Sequence, residues 1–181
     1  ESIIFIEPCY TKRIFSILFL RKVIFKRVVA YIMLFKQETK VNVVRIAEFS
    51  WKKMEPSDGV YCFEWLHNIV DKMREAGIGV IMGTPTATPP HWFAKKYPDA
   101  LMLNSDGTRK SHGGRRHCCS SNPDYLRHSA NIVEKLANEF GKDEGIIGWQ
   151  IDNEIYHWPD ADGVYMMNCR CEHCVEAFHR H

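Results

Sequence analysis

An amide and a carboxyl group follow one another directly after an apolar segment in the C-terminal part of the chain. The apolar, β-favouring residues of this segment are Ile146, Ile147, Trp149 and Ile151. We predict a buried strand that ends at Glu154 and presents Asn153 and Glu154 together. Such a carboxylic acid can protonate a leaving oxygen while the amide holds a sugar 2-hydroxyl, as retaining glycosidases require. The simpler alternative is a helix-capping Asn followed by a Glu in the first helical turn.

A second group of reactive side chains is formed by cysteines. Three of the seven cysteines, Cys169, Cys171 and Cys174, fall in the pattern Cys-x-Cys-x-x-Cys, and neighbours this close cannot all be bridged comfortably to one another. The spacing favours zinc, which in a structural site takes four ligands in a tetrahedron, so one ligand must come from elsewhere. The alternatives are unrelated thiols and a redox Cys-x-x-Cys pair at Cys171 and Cys174.

The elements that must position these groups alternate between strand and helix. Residues 41–49 form an apolar segment typical of a strand, and a helical stripe follows, consisting of Phe63, Leu66, Val70 and Met73 and ending at Gly77. A second strand is predicted over residues 78–82, before a loop rich in Thr and Pro at residues 84–90.

A second helix and a third strand complete the pattern. Asn122 and Pro123 are typical of a helix cap and first turn, and Gly141 marks the helix end. We predict that its buried face contains Leu126, Ala130, Val133, Ala137 and Phe140. The order strand, helix, strand, helix, strand indicates an α/β fold with a parallel sheet and right-handed crossovers.

Five segments resemble glycoside hydrolase family 42, the β-galactosidases built on a (β/α)8 barrel. They are residues 41–51, 83–92, 115–119, 148–154 and 169–174, and they occur in the order and at the spacing of the family. The resemblance covers about three-quarters of the chain. It implies hydrolysis of terminal β-D-galactosides with retention of configuration, and it makes the three predicted strands the second, third and fourth of the barrel.

The resemblance also assigns roles to individual residues. It implies that Glu154 is the acid/base and that Arg45 and Asn153 bind the galactose. The nucleophile of the family is a Glu at the end of strand seven, beyond the part that this chain matches. Glu48 is the other carboxylate in a matching segment, and we expect it to make a structural hydrogen bond.

The fourth zinc ligand is also taken from the resemblance, which places it two residues after His117, at Cys119. Cys118 stands where the family usually has an aromatic residue, so an exchange of the two cysteines remains open, and His117 or His173 could substitute. A closed site of four thiolates leaves no position for water. We therefore expect structural zinc bound by Cys119, Cys169, Cys171 and Cys174, which ties the loop after strand three to the loop after strand four.

Length limits what the chain can form alone. A (β/α)8 barrel takes about 250 residues, whereas this chain has 181. We expect a partial (β/α)8 TIM barrel of roughly the first four βα units: residues 41–181 are the N-terminal half of the glycosidase barrel, and residues 1–40 are a divergent basic, apolar segment. This fragment should be inactive alone, and we expect the complete enzyme to be a homo-oligomer.

The charge distribution raises alternatives to an enzyme. The formal net charge is +2, and residues 1–40 carry eight Lys and Arg against three Glu. Residues 14–35 are interrupted by charges, so they do not predict a membrane span or a cleaved signal peptide. A basic apolar helix can bind a membrane surface or nucleic acid, which gives a rival hypothesis of a zinc-dependent binding module with a segment that contacts nucleic acid. A third hypothesis is an inactive gene remnant.

Taken together, these features lead us to expect a cytoplasmic glycosidase fragment that binds a β-galactoside, with neither nucleic acid nor a membrane as a partner. Thiolate ligands and unpaired cysteines suit a reducing compartment. A small zinc finger would pair two couples of ligands about a dozen residues apart, whereas Cys119 and Cys169 are separated by a whole βα unit.

Overall fold

The structure, a computed structural model, describes residues 36, 38–154 and 169–180. In this part of the chain the strands are β1 (Val43–Ile46), β2 (Gly79–Gly83) and β3 (Ile146–Gln150). The α-helices are α1 (Trp51–Met54), α2 (Glu64–Glu75), α3 (His91–Lys96), α4 (Pro123–Phe140) and α5 (Glu172–His179). Short 3-10 helices span Pro85–Ala87 and Pro98–Ala100. No helix within these ranges is long and apolar enough to cross a membrane.

The three strands form one parallel sheet in the order β1-β2-β3. Val44 lies opposite Val80, and Met82 lies opposite both Ile46 and Trp149. A bulge between Val80 and Ile81 shifts the register of β3 by one residue. The predicted α/β class with parallel strands is confirmed, and the sheet places the carboxyl ends of all three strands at one edge.

One face of the sheet is covered by helices. Strand residues alternate between faces, and Met82 points to the covered side, where it is fully buried. The cluster around it is formed by Ala47, Trp51, Met54, Leu66, Val70, Ile132, Leu136 and Phe140. Each large side chain that is buried there contributes about 1.5–3 kcal/mol. This core holds the sheet against α1, α2 and α4.

Among the residues that the structure describes, no element covers the opposite face of the sheet. Val43 and Ile147 remain 40% and 58% exposed, and the Arg45 side chain is 49% exposed. Strands β1 and β3 are the edges of the sheet in the described part of the chain. An exposed apolar face between two unpaired strand edges is a surface that favours association with further strands.

Helix α4 begins and ends where the sequence predicts. Asn122 Oδ1 accepts hydrogen bonds from the backbone N–H groups of Asp124 and Tyr125, both at 3.0 Å. The Gly141 N–H donates to Ala137 O at the other end. The asparagine therefore satisfies two of the N–H groups that a helix start leaves unpaired.

The predicted buried face of α4 is correct at Phe140 and in part at Val133, which packs against the core, and it is wrong at the other three positions. The buried residues are His128, Ile132, Leu136 and Phe140, whereas Leu126, Ala130 and Ala137 are exposed and Val133 is half-buried. In the middle of the helix the predicted positions 133 and 137 lie one residue after the buried Ile132 and Leu136, and one residue rotates a helix face by about 100°. The helix instead packs its larger aliphatic side chains, Ile132 and Leu136, against the sheet.

Candidate active site and metal centre

Strand β3 does not extend to Glu154 as predicted but ends at Gln150, and residues 151–154 form a turn. The Asp152 N–H leaves the sheet and donates to Thr84 Oγ1 at 2.7 Å. Asp152 and Glu154 have φ angles of +58° and +47°, a left-handed conformation that costs a non-glycine residue about 1–3 kcal/mol. Such strain persists only where surrounding contacts enforce it, and it is typical of functional sites.

Arg116 provides the contacts that hold this turn. Its Nη2 donates to Asp152 Oδ2 at 2.8 Å and to Asn153 O at 2.7 Å, and its Nε donates to Asn153 O at 3.0 Å. Both Arg116 and Asp152 are largely shielded from solvent, so screening is weaker than at the surface. The planar guanidinium thus fixes the backbone immediately before Glu154.

The carboxylate of Glu154 lies next to a second arginine. Arg115 Nη1 donates to Glu154 Oε2 at 3.1 Å, and the Arg115 guanidinium carbon lies 5.2 Å from the centre of the Phe49 ring. The Glu154 side chain stays 39% exposed. Glu154 is therefore oriented by a charge-assisted hydrogen bond and still open to a ligand.

Sequence reasoning missed both arginines as site residues. They lie in the segment 115–119, which was interpreted only as a source of metal ligands. Their contacts span 36 to 39 residues, so no local pattern signals them. The usable signal is the adjacency of two arginines to a metal ligand in a segment that resembles the family.

Asn153 and Arg45 are linked through a third side chain. Gln150 Nε2 donates to Asn153 Oδ1 at 3.4 Å, and Gln150 Oε1 accepts from Arg45 Nη1 at 2.5 Å. Arg45 Nε donates to Glu48 Oε1 at 2.9 Å, the structural hydrogen bond that was expected of Glu48. The two predicted galactose contacts thus belong to one hydrogen-bonded chain on the open face of the sheet.

One polar atom of this chain has no partner. Asn153 is 6% exposed, and its Nδ2 finds no hydrogen-bond acceptor among the residues that the structure describes. A buried amide N–H₂ without an acceptor costs about 1–3 kcal/mol. The arrangement suits an amide that receives its acceptor from a ligand.

The four predicted thiols lie together. The Sγ atoms of Cys119, Cys169, Cys171 and Cys174 are all within 4.8 Å of one another. Cys119 Sγ is 3.5 Å from Cys171 Sγ and 3.3 Å from Cys174 Sγ. Tetrahedral zinc with Zn–S bonds of 2.3 Å requires S···S separations of about 3.8 Å. The donor set, its number and its spacing therefore fit a four-thiolate zinc site.

The surroundings of the cluster support the same assignment. The Leu103 N–H donates to Cys169 Sγ at 3.3 Å, and such N–H donors stabilise a metal-bound thiolate. Burial raises the pKa of the Cys119 thiol, and the adjacent Cys174 sulfur raises it further. Burial also raises the pKa of the Cys171 thiol, and a bound metal ion would supply the positive charge that favours the thiolate forms.

The structure also separates the two adjacent cysteines. The Cys118 side chain is buried against Phe93 and Ala100, and burial raises its pKa to about 12. It does not belong to the four-thiol group, and neither do His117 and His173. The geometry thus favours Cys119 over the three other residues that the sequence left open.

A parallel β/α sheet that presents a carboxylic acid at its carboxyl edge has the arrangement of an α/β-barrel enzyme site. The chain matches the sequence profile of the β-galactosidase family, glycoside hydrolase family 42, over residues 26–181. It belongs to this family.

Sequence similarity to individual β-galactosidases supports the assignment to this family. The β-galactosidase BgaA of Clostridium cellulovorans is 39% identical over 142 residues, which are 78% of this chain and 20% of that protein. A β-galactosidase of Thermus thermophilus is also 39% identical over 142 residues, 78% of this chain and 21% of that protein. The chain thus spans about a fifth of the length of these relatives.

Solved structures of β-galactosidases also resemble this chain. The β-galactosidase of the Antarctic haloarchaeon Halorubrum lacusprofundi superposes with a TM-score of 0.74 at 33% identity, covering 86% of this chain and 22% of that one. That of Rahnella sp. R3 gives 0.72 at 31% identity, with coverages of 82% and 20%.

Proposed function

We propose that this chain supplies the acid/base half of a retaining β-galactosidase site that acts on terminal β-D-galactosides. The observation that carries the proposal is the strained 152–154 turn, which Arg116 clamps so that Glu154 and Asn153 are presented together at the carboxyl edge of the sheet. Strained, over-determined turns at that edge are typical of catalytic residues in barrel enzymes.

Each residue has a defined task in this proposal. Glu154 protonates the glycosidic oxygen in the first step and deprotonates water in the second. Asn153 donates a hydrogen bond to a sugar hydroxyl from Nδ2, which has no acceptor among the described residues, and this removes the cost of a buried, unsatisfied amide. Arg45, half-exposed on the open face, can hold two hydroxyl oxygens with its guanidinium fork.

Retention requires a second carboxylate about 5–5.5 Å from the acid/base to form the glycosyl-enzyme intermediate. The family resemblance places it on strand seven, so we propose that it comes from outside residues 1–181. Residues 1–181 alone then lack half of the double displacement and should be inactive.

We further propose that zinc bound by the four cysteines acts as a structural clamp. A closed four-thiolate site offers no position for substrate or water, so the metal takes no part in the chemistry. Cys119 and Cys171 are 52 residues apart, with α4 and β3 between them, which argues against a small nucleic-acid-binding finger. A reducing cytoplasm and a homo-oligomeric complete enzyme remain part of the proposal.

The test measures release of chromophore from an aryl β-galactoside. The chain alone should be inactive, whereas its mixture with the C-terminal part of a family enzyme should turn over if the halves pair. Glu154→Gln should abolish that turnover. Glu144→Gln, which alters an exposed Glu before β3, is the matched control and should retain it. Turnover by the chain alone that disappears in Glu154→Gln would contradict the proposal and make Glu48 the suspected nucleophile.

A further inference from the structure

Gln150, the last residue of β3, contacts both of the predicted galactose-binding side chains. Its Oε1 lies 2.5 Å from Arg45 Nη1, and its Nε2 lies 2.8 Å from Asp152 O and 3.4 Å from Asn153 Oδ1. Arg45 belongs to β1, which is separated from β3 by the middle strand, so the Arg45–Gln150 contact crosses β2. The glutamine thus joins two side chains of the site that come from opposite edges of the sheet.

The partners of Gln150 fix the orientation of its amide. Arginine offers N–H donors and no acceptor, so the Gln150 atom that faces Arg45 must be the oxygen. The Asp152 carbonyl oxygen only accepts, so the Gln150 atom that faces it must be the nitrogen. Both neighbours require the same orientation. A reversed amide would place N–H against N–H at Arg45 and oxygen against oxygen at Asp152.

The orientation of Gln150 in turn decides that of Asn153. The Asn153 atom beside Gln150 Nε2 must accept a hydrogen bond, which assigns it as Oδ1, and the contact is a long one at 3.4 Å. A reversed Asn153 amide would set two N–H₂ groups against each other. Asn153 Nδ2 is then the remaining atom, and it has no acceptor in the described part of the chain. The direction of donation therefore runs from Arg45 through Gln150 to Asn153.

We propose that Gln150 is a positioning residue that holds the Asn153 amide in the orientation that donates to a sugar hydroxyl. The inference rests on the proposed galactosidase function, in which Asn153 makes this contact. Gln150 touches no reacting atom and acts through Asn153. Hydrogen bonds to the sugar 2-hydroxyl strengthen in the transition state of glycoside hydrolysis, so a donor that is fixed in advance should raise kcat more than it lowers KM.

Two substitutions of similar size separate the polarity of Gln150 from its volume. Gln150→Met keeps the length of the side chain but makes no hydrogen bond, so the Asn153 amide is free to turn. Gln150→Glu keeps the shape and the bond from Arg45 but replaces the donor by an acceptor, so Asn153 turns its Nδ2 inward. In the reconstituted halves at neutral pH, kcat should fall roughly three- to tenfold in Gln150→Met. It should fall roughly ten- to a hundredfold in Gln150→Glu, and KM should change less in both variants.

The controls distinguish this role from a contribution to packing. Asn138→Met changes an exposed amide of α4 and should retain the wild-type kcat. In an Asn153→Ala background, Gln150→Glu should cost little more, because the residue through which Gln150 acts is gone. A Gln150→Glu variant as active as Gln150→Met would show that the polarity of the side chain does not matter, which would overturn the proposal. An undiminished loss in the Asn153→Ala background would overturn it as well.

A thermodynamic cycle tests the link through Gln150 without any turnover. Arg45→Met and Asn153→Ala should have non-additive effects on the free energy of unfolding in urea, because both side chains share Gln150 as a partner. The effects should become additive in a Gln150→Met background. Additivity in the wild-type chain, or coupling that persists in Gln150→Met, would contradict the proposal. Coupling of the expected kind in a chain whose reconstituted halves hydrolyse no galactoside would remove the proposed function and leave Gln150 as the residue that orients the Asn153 amide.

Discussion

Exchange of one cysteine in the pair Cys118-Cys119 gives the sharpest test of the metal centre. The two residues are adjacent and both buried, but only the Cys119 sulfur belongs to the four-thiol cluster. Cys119→Ser should weaken zinc binding enough for a moderate chelator to remove the metal, whereas Cys118→Ser should keep about one zinc per chain. The two variants therefore make the same chemical change at two buried positions that are adjacent in the chain.

The expected magnitude follows from the ligand count. Structural zinc binds with about 10–16 kcal/mol in small domains, so one of four thiolates accounts for roughly 3 kcal/mol. That is about a hundredfold in Kd, and at fixed free zinc it lowers the free energy of unfolding by up to about 2.7 kcal/mol. Cys118→Ser should destabilise by a similar amount, about 1–3 kcal/mol, because it buries a hydroxyl against Phe93 and Ala100.

Metal content therefore separates the two variants where stability does not. The assay is elemental analysis after dialysis against a moderate chelator, followed by thermal unfolding with and without added zinc. Zinc should raise the Tm of wild type and of Cys118→Ser at concentrations about a hundredfold lower than those that raise the Tm of Cys119→Ser. Zinc retained by Cys119→Ser, or lost from Cys118→Ser, would refute the assignment of the fourth ligand.

Three further predictions concern stability and association. Arg116→Lys should lower the free energy of unfolding, measured from the urea midpoint, by about 1.5–3 kcal/mol, because lysine cannot reproduce the forked contacts. Arg115 is more exposed, so Arg115→Lys should change the free energy of unfolding by about 0.5 kcal/mol or less. The chain should self-associate through the open face in analytical ultracentrifugation, and Ile147→Lys, at a side chain 58% exposed, should reduce this, whereas a monodisperse wild-type monomer would contradict the expectation. Burial lowers the pKa of His128, so the folded state keeps this side chain neutral. Its contribution to the free energy of unfolding is therefore lost as pH falls from about 6.5 towards the folded pKa. His128→Asn should flatten the dependence of the urea midpoint on pH in that window, and an unchanged slope would rule out this role of His128.

Local signals predicted the elements that depend on local chemistry. The start of α4 follows from the Asn122 side chain and the fixed φ of Pro123, both of which act within one turn. The cysteine spacing likewise brings three ligands together without reference to the rest of the fold. The family resemblance was needed to select the distant Cys119.

Features that depend on contacts across the sheet could not be predicted from the sequence. Glu154 lies in a strained turn rather than on the strand, because Thr84 Oγ1 accepts a hydrogen bond from the Asp152 N–H and Arg116 donates to the Asn153 carbonyl oxygen. The buried stripe of α4 shifts because two aliphatic side chains fit the sheet better than the alanines that periodicity alone allows. Side-chain size and distant partners decide both outcomes.

A short segment of chain joins the proposed zinc centre to the proposed acid/base turn, which gives a last prediction. The segment from Arg116 to Cys119 is attached at both ends: the Arg116 N–H donates to Ala87 O at 2.9 Å, and the Cys119 N–H donates to Ala100 O at 2.8 Å. Within it, Arg116 holds the backbone before Glu154. Loss of the metal would release the Cys119 side chain and weaken the contacts of Arg116 with the 152–154 turn.

Chelation should therefore lower turnover by the reconstituted halves, although the metal itself touches no substrate. A misplacement of about 1 Å in a catalytic group costs up to about a hundredfold in rate, and added zinc should restore the rate. Chelation should cost Arg116→Lys much less, because its turn has already lost the clamp, whereas Arg127→Lys, a change in an exposed arginine of α4, should respond as wild type does. Chelation that removes zinc but leaves turnover intact would separate the two sites, and an equal loss in Arg116→Lys would mean that the coupling takes another route.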